Sequence, residues 1–561
     1  MSRKQRHDDS PDAAASGLER RDFLRVAGTA AAAGALAPAS LVAGESAVAA
    51  TVRTPASLTW ALLQQAPPLP LGNGEPPALT FQPYPGGTGA LMERLWREHG
   101  PRLFERTPIE IEPWSGPVPT AEEDVAFLPV SGLAALLRER RITSTELTEI
   151  YLSRLRRFDP VLLCAVSILE ERARDEARRA DEELAAGRWR GPLHGVPYGV
   201  KDLFAVRGAP TTWGSADFAD RVIDDDAEVV VRLRDAGAVL IAKLATGELA
   251  RGDQWYRGRT RNPWNVDEGS SGSSAGPASA AAAGLVGFSI GTETRGSIVS
   301  PARRNGVSAL RPTFGRVSRH GGMVLSWSMD KAGPICRSVE DCALVFDAIH
   351  GASELDPASV TTPFAFDRSP DLAALRIGYT ADAPESFLRV LSGLGASLRP
   401  MRPLPEARSD QLAVESAAAF DYHVAPGGGE PAPLPAGLSQ EERGRLSRFR
   451  DGRETRAIDY VNAQRRRLFV MREMAEAMEG FDMFVSGSGE TALTNDTGHP
   501  AVVVPYDFGV RNPDADDPTT MPLTTVLVGD LYADDKISSV AHAFQAVTDW
   551  HLRRPDLSRV G

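Results

Sequence analysis

Gly269-Ser-Ser-Gly-Ser-Ser-Ala-Gly276 runs directly into Pro277-Ala-Ser-Ala-Ala-Ala-Ala-Gly284, then Leu285-Val-Gly-Phe-Ser-Ile290, then Gly291-Thr-Glu-Thr-Arg-Gly-Ser297-Ile298. The order is a Gly/Ser loop, a helix of very small side chains, an apolar strand and a second Gly/Ser loop. Pro277 suits a first helical turn, where its missing N–H costs no hydrogen bond. The loop's N–H groups and hydroxyls converge near a helix N-terminus, a place that favours developing negative charge. The small residues predict a helix seated tightly against neighbouring backbone.

Upstream, Gly195-Val-Pro-Tyr-Gly-Val200 reads as a short apolar strand running into Lys201-Asp202. A helix over 228–236 leads through Gly237 into a strand over 238–242. Such alternation predicts an α/β fold, a sheet with helices on its faces. Earlier, Thr143-x-x-Glu146 is a capping box. Leu147, Ile150, Tyr151, Leu155 and Phe158 then recur at helical spacing, with Pro160 expected to end the helix. A charged helix is predicted over 170–186. Further helices are expected over 339–349, 460–478 and 538–551, and a strand over 501–504. The stretch 405–450 reads as polar and loop-rich.

The two loops, the alanine-rich helix between them and the Gly-Val-Pro-x-x-Val-Lys-Asp strand resemble the amidase signature family. Ser273 and Ser297 lie 24 residues apart, matching the spacing of that family's two catalytic serines. Further pieces agree: Gly237-Ala-Val-Leu-Ile-Ala-Lys243, Arg261-Asn-Pro-Trp-Asn265, Leu310-Arg-Pro-Thr-Phe-Gly-Arg-Val-Ser318 and Thr497-Gly-His-Pro-Ala-Val-Val-Val504. The resemblance implies a large mixed β-sheet core covered by α-helices on both faces. It also implies an amidase that cleaves carboxylic amide C–N bonds through a serine acyl-enzyme. The implied catalytic residues are Lys201, Ser273 and Ser297. Backbone N–H groups of Thr294, Arg295, Gly296 and Ser297 would form the oxyanion hole, and Ser274 would orient Lys201. Parts of 205–260, 320–330 and 405–495 would build the substrate pocket.

A lysine acts as a base only when uncharged, and desolvation at the end of a buried strand favours the neutral amine. Relay through Ser273 would then arm Ser297 for attack. No Ser/His/Asp arrangement is evident, and His194 and His320 read as structural. The sequence departs from the family pattern at Arg295 (for Gly), Glu293 (for Asp), Ala275 (for Gly), Pro277 (for Ser) and Val299 (for Arg). Arg295 either faces the pocket and selects an anionic substrate group or points outward. Positive φ would be unfavourable for an arginine there.

The 561 residues carry 62 basic and 74 acidic side chains, a net charge of −12 that disfavours nucleic acid and anionic membranes as partners. Three cysteines at wide spacing imply no disulfide framework or zinc pattern. No metal site and no cofactor are expected. The expected partner is a small-molecule amide. Alternatives are the glutaminase component of a tRNA-dependent amidotransferase, an esterase with the same triad, and a non-enzymatic binding protein.

Residues 1–50 read as an export leader. Arg20-Arg-Asp-Phe-Leu resembles a twin-arginine signal and precedes an alanine-rich stretch from Val26 to Val42 and the small residues Ala47-Val-Ala49. The mature chain is then expected from about Ala50, exported and not stably inserted in a membrane. Residues 51–125 read as an N-terminal extension wrapped over the main domain, which spans 126–555.

Overall fold

A computed structural model describes residues 80–424, 433–434, 437, 440–510 and 520–560. The leader expected over 1–50 and the first part of the extension, 51–79, lie outside the described residues.

Eleven strands form one mixed sheet among the described residues. In chain order they are β1 (Ala165–Ile168), β2 (Pro197–Lys201), β3 (Val239–Leu244), β4 (Phe288–Glu293), β5 (Ser308–Arg311) and β6 (Lys331–Cys336). Then follow β7 (Arg376–Tyr379), β8 (Ser397–Pro400), β9 (Met483–Ser486), β10 (Ala501–Val510) and β11 (Thr520–Gly529). The spatial order is β1-β3-β2-β4-β6-β5-β10-β11-β9-β7-β8. β2 runs parallel to both its neighbours, β3 and β4, whereas β4, β6, β5, β10 and β11 pair antiparallel. All five residues of β2 are buried, as expected for a strand with parallel neighbours and both faces covered.

Alternate residues of a strand face opposite sides of a sheet, and here they enter two different cores. Val502, Val504 and Leu527 join one cluster with Leu147, Tyr151 and Phe346, while Val503, Val526 and Val528 join another with Val299, Ala302 and Met474. Helices Ser144–Leu162, Val339–Ile349 and Asp534–Ala546 supply side chains to the first, and Ala275–Ala282, Val299–Asn305 and Ala457–Met478 to the second. The sheet is thus covered on both faces.

Several element boundaries differ from the sequence reading. Pro160 lies inside its helix, which runs to Leu162; it falls so close to the end that little of the ladder is lost. The capping box forms as read: the Thr143 hydroxyl accepts from Glu146 N–H, and the Glu146 carboxylate from Thr143 N–H. The supposedly loop-rich stretch 405–450 contains helices Gln411–Val424 and Gln440–Asp451. The first of these is rich in alanine, a strong helix former, and buries Ala417, Ala419 and Phe420. The last long helix is Asp534–Ala546, followed by a 3₁₀ turn at Trp550–Leu552 rather than continuing to 551. Within the extension, helix Gly87–His99 docks Leu91 and Leu95, together with Leu103, against Leu531 and Tyr532.

Candidate active site

The C-terminal end of β2 delivers Lys201 to the junction of the two Gly/Ser loops. β2 continues through Lys201, so the lysine belongs to the strand and does not merely follow it. Its side chain has no solvent exposure. Lys201 Nζ lies 2.8 Å from Ser273 Oγ, 3.0 Å from Ser274 Oγ, 2.8 Å from Thr292 Oγ1 and 3.4 Å from the Thr292 carbonyl. Burial pushes its pKa well below the ordinary lysine value, against the opposing pull of the Asp330 and Glu293 carboxylates. Burial of this kind works in favour of the neutral amine.

The hydrogen bonds around that amine restrict how its hydrogens can be placed. Ser274 Oγ accepts from Thr292 N–H at 3.1 Å and donates its own proton to the Thr292 carbonyl at 3.0 Å. Toward Lys201 the Ser274 hydroxyl can therefore only accept, and the Thr292 carbonyl is an acceptor by nature. A neutral amine that donates to Ser274 and Thr292 would have its lone pair free for the Ser273 hydroxyl proton. This arrangement needs a bare backbone beside Ser274. A Cβ added to Gly291 would lie 2.8 Å from Ser274 Oγ.

Ser273 follows a cis peptide bond from Gly272 and is buried. Asp253 steadies this loop by accepting from Ser271 N–H at 2.9 Å. Ser274 opens helix Ala275–Ala282, in which every residue is buried. Its N–H donates to the Ser297 carbonyl at 3.1 Å and so ties the two loops together.

The second loop is held by a carboxylate that the sequence reading noted only as a departure. Glu293 Oε2 accepts from Ile298 N–H at 2.7 Å and Val299 N–H at 2.8 Å. Its Oε1 accepts from Arg311 at 2.8 Å and Asn495 at 2.6 Å. These partners hold Glu293 ionised although it is fully buried. On the outer side, Thr294 Oγ1 donates to Asp330 at 2.6 Å, and Asp330 in turn accepts from Leu325 N–H and Ser326 N–H. With both flanks fixed, the N–H groups of Arg295, Gly296 and Ser297 have no acceptor among the described residues. The loop's positive φ, +108°, falls at Gly296 and not at Arg295, so the arginine carries no backbone strain. Arg295 is exposed and is absent from the wall of the adjacent cavity.

Lys201, Ser273, Ser274 and Glu293 are thus buried at this junction, with partly exposed Thr292 and Ser297 at its rim. Ser297 Oγ has no hydrogen-bond partner among the described residues. His194 lies 3.2 Å from Glu183, and His320 lies 3.8 Å from Asp225; neither bonds to a loop serine. The described residues contain no cluster of three or more His, Cys, Asp or Glu side chains able to hold a metal. Beside Thr292 and Thr294 opens a cavity of about 590 Å³, within the usual range for small-molecule sites, roughly 300–1,000 Å³. Its walls come from 203–225, 319–332 and 355–357, with Ala250 and Tyr422. The segment 355–357 was not among those expected from the sequence. Thr292, Asp330 and the tethering role of Glu293 were missed because each acts through a contact distant in sequence.

Comparison with known proteins agrees with this architecture. The Amidase family model matches residues 146–501. A glutamyl-tRNA(Gln) amidotransferase subunit of Roseiflexus sp. (strain RS-1) is 32% identical over 489 residues, covering 77% of this chain and 98% of the relative. AmiD of Mycobacterium tuberculosis (strain ATCC 25618 / H37Rv), a proposed amidase, is 33% identical over 488 residues, covering 78% and 98%. The crystal structure of native peptide amidase from Stenotrophomonas maltophilia is 29% identical, covers 76% of this chain and 98% of its own, and superposes with a TM-score of 0.63. The chain belongs to the amidase signature family. It is accordingly a hydrolase of amide C–N bonds with the family's mixed-sheet fold.

Proposed function

We propose that the protein hydrolyses amides through a serine acyl-enzyme, with Ser297 as nucleophile, Ser273 as bridge and Lys201 as base. The observation that carries this reading is the buried Lys201 amine, 2.8 Å from Ser273 Oγ and with no carboxylate in contact with it among the described residues. The Ser297 hydroxyl makes no hydrogen bond to Ser273 here, and contacts of this kind often tighten only with substrate bound. As Ser297 attacks the carbonyl, its proton passes to Ser273, and the Ser273 proton passes to Lys201. The free N–H groups of Arg295, Gly296 and Ser297, with that of Thr294, receive the developing oxyanion. Reverse transfer from the ammonium through Ser273 protonates the departing amine. Water then attacks the ester by the same relay and releases the acid. No external reductant, oxidant or metal enters this balance.

The test is labelling of the purified protein with a fluorophosphonate, followed by mass-spectrometric mapping of the adduct. The expected adduct is on Ser297; an adduct on another residue rejects the assignment.

A second reading, the glutamine-hydrolysing component of a tRNA-dependent amidotransferase, is supported by the 32% identity to the Roseiflexus amidotransferase protein. The twin-arginine-like residues 20–25 favour export of a folded enzyme that uses water as acceptor, because an amidotransferase needs cytoplasmic partners. No described helix is long and apolar enough to cross a membrane. Retention of the protein in the cytoplasmic fraction together with a co-purifying partner protein would favour the second reading.

A further inference from the structure

The second loop has two tethers, Glu293 on one flank and Asp330 on the other, and the outer ends of both reach one short stretch of the N-terminal extension, Phe81-Gln-Pro83. That stretch lies well before residue 146, where the family match begins. Relatives matched over 98% of their own length leave about a fifth of this chain without a counterpart. On the Asp330 flank the contacts run outward through the turn at 325–330. Asp330 accepts from Leu325 N–H and Ser326 N–H. The Ser326 and Ser328 hydroxyls donate to the two oxygens of Glu415, at 2.5 and 2.7 Å. Arg467 donates to Ser328 Oγ at 2.7 Å and to the Ser328 carbonyl at 3.0 Å. Arg467 is 1% exposed, and the Phe81 ring covers its guanidinium, with 3.7 Å from the central carbon to the ring centre.

On the Glu293 flank, Arg311 donates both to Glu293 and, at 2.7 Å, to the His499 carbonyl. The adjoining Gly498 has a φ of +78°, and a Cβ there would lie 2.6 Å from Cβ of the buried Pro83. Phe81 meets Phe314 edge-on, 5.2 Å between ring centres, and Phe314 N–H donates to the Gly498 carbonyl at 3.0 Å. Arg467 joins the two flanks: its Nε donates to the Asp496 carbonyl at 2.7 Å, one residue from the Asn495 that holds Glu293. Gln82 pins the stretch by accepting from the Tyr532 hydroxyl at 2.7 Å. An aromatic face stabilises a buried cation and keeps water from it. Removing Phe81 would let water compete for the Arg467 donors that hold Ser328 and Asp496. In a close-packed interior the resulting strain is transmitted to the neighbouring groups, and small displacements of groups that meet developing charge are costly in rate.

We infer that Phe81 is a positioning residue for catalysis: through Arg467 it braces both tethers of the second loop, so the extension is a working part of the active site. This rests on the proposed roles of Ser297 as nucleophile and of its loop in receiving the oxyanion. Phe81 is not on the wall of the cavity beside Thr292 and Thr294, so it acts through these contacts and not on the acyl group.

The experiment follows labelling of the full-length protein by a fluorophosphonate, well below the melting temperature of each variant, and separates the maximal rate kinact from the binding constant KI. Ser297 Oγ bonds to phosphorus as fluoride leaves, and the phosphoryl oxygen takes the place of the oxyanion. Phe81→Ala should lower kinact by about 10-fold, a fraction of what loss of an oxyanion donor costs, and leave KI within about 2-fold. Phe81→Tyr, which keeps the ring, should restore most of the rate. Phe81→Leu, which fills the space without an aromatic face, should lose about 3-fold and serves if the alanine variant fails to fold. Trp96→Ala removes an exposed aromatic from the same extension and should leave kinact unchanged. Thr294→Val cuts the Asp330 tether; combined with Phe81→Ala, its loss should fall short of the product of the two single losses, because both act on one loop. The inference is overturned by an unchanged kinact in the folded Phe81→Ala or Phe81→Leu protein, by a loss carried by KI alone, or by losses that multiply independently in the double variant. Failure of the underlying assignment looks different: the adduct in wild type would then map away from Ser297.

Discussion

Two fully buried lysines sit side by side at the ends of parallel strands, Lys201 on β2 and Lys243 on β3, with Val200 opposite Lys243 in the ladder. Lys243 Nζ is 2.8 Å from an Asp202 carboxylate oxygen and also donates to Thr211. Lys201 has only hydroxyls and a carbonyl within hydrogen-bond reach. Burial lowers both pKa values, but Asp202 opposes the shift directly at Lys243, whereas the carboxylates acting on Lys201 work without contact. Burial alone therefore does not distinguish the two amines. What separates the two amines is whether a carboxylate touches them, and Asp202, the residue after Lys201, is aimed at the neighbouring strand's lysine. Asp202 is held there by Thr212, whose N–H donates at 3.0 Å and whose hydroxyl also donates.

The largest effect that would break this contrast is loss of the uncharged amine. Lys201→Met should lower kcat by about 10³-fold or more, as removal of a member of a catalytic relay does. Lys243→Met should not match that loss. The pH dependence has a definite sign. Lys201 has a lowered folded-state pKa, so between that value and the unfolded value the unfolded chain binds the extra proton, and stability rises with pH across this window. Activity should likewise fall as pH drops through the folded value, because the protonated amine has no lone pair for Ser273. Thermal melts and pH–rate profiles of wild type and Lys201→Met check both; an unaltered profile would show that another group supplies the base.

The next effect sharpens the comparison from the other strand. Asp202→Asn leaves Lys243 buried without its counter-charge, which should cost about 3–5 kcal/mol of stability. Denaturant unfolding measures the loss, and the Asp202→Asn/Lys243→Met double variant should recover part of it. A double variant as unstable as the single would mean that the pair is not what Asp202 serves.

The smallest effect is expected at Arg295. It is exposed, lies off the cavity wall and carries no positive φ. Arg295→Ala should change kcat/KM by less than about 3-fold, as for surface substitutions removed from special features, and equally on neutral and carboxylate-bearing amides. A loss confined to the carboxylate amides would restore the anion-selecting role.

The legibility of the molecule followed the range of its interactions. The loop from Gly269 to Gly276 and the loop from Gly291 to Ile298 were readable because tight backbone turns and a small-residue helix leave few residue choices. The capping box at Thr143 and Glu146 was readable for a similar reason: its partners are three residues apart. Helix Gln411–Val424 was not, because its short alanine-rich run lies within a stretch of otherwise polar composition; Phe420 anchors it against Phe449 and Trp213. Glu293 was visible as a substitution, yet its tether to Arg311 and Asn495 spans 18 and 202 residues of sequence.

By itself the sequence determined the α/β class, the family resemblance and the identity of the lysine and serines in the two loops. These rest on short-range patterns, in which each residue type is constrained by its immediate neighbours. Only the tertiary structure decided which buried lysine meets a carboxylate and which hydroxyls surround the Lys201 amine. Those outcomes depend on distances between strands and loops far apart along the chain, and electrostatics and hydrogen bonding respond to distance in space rather than to position in sequence.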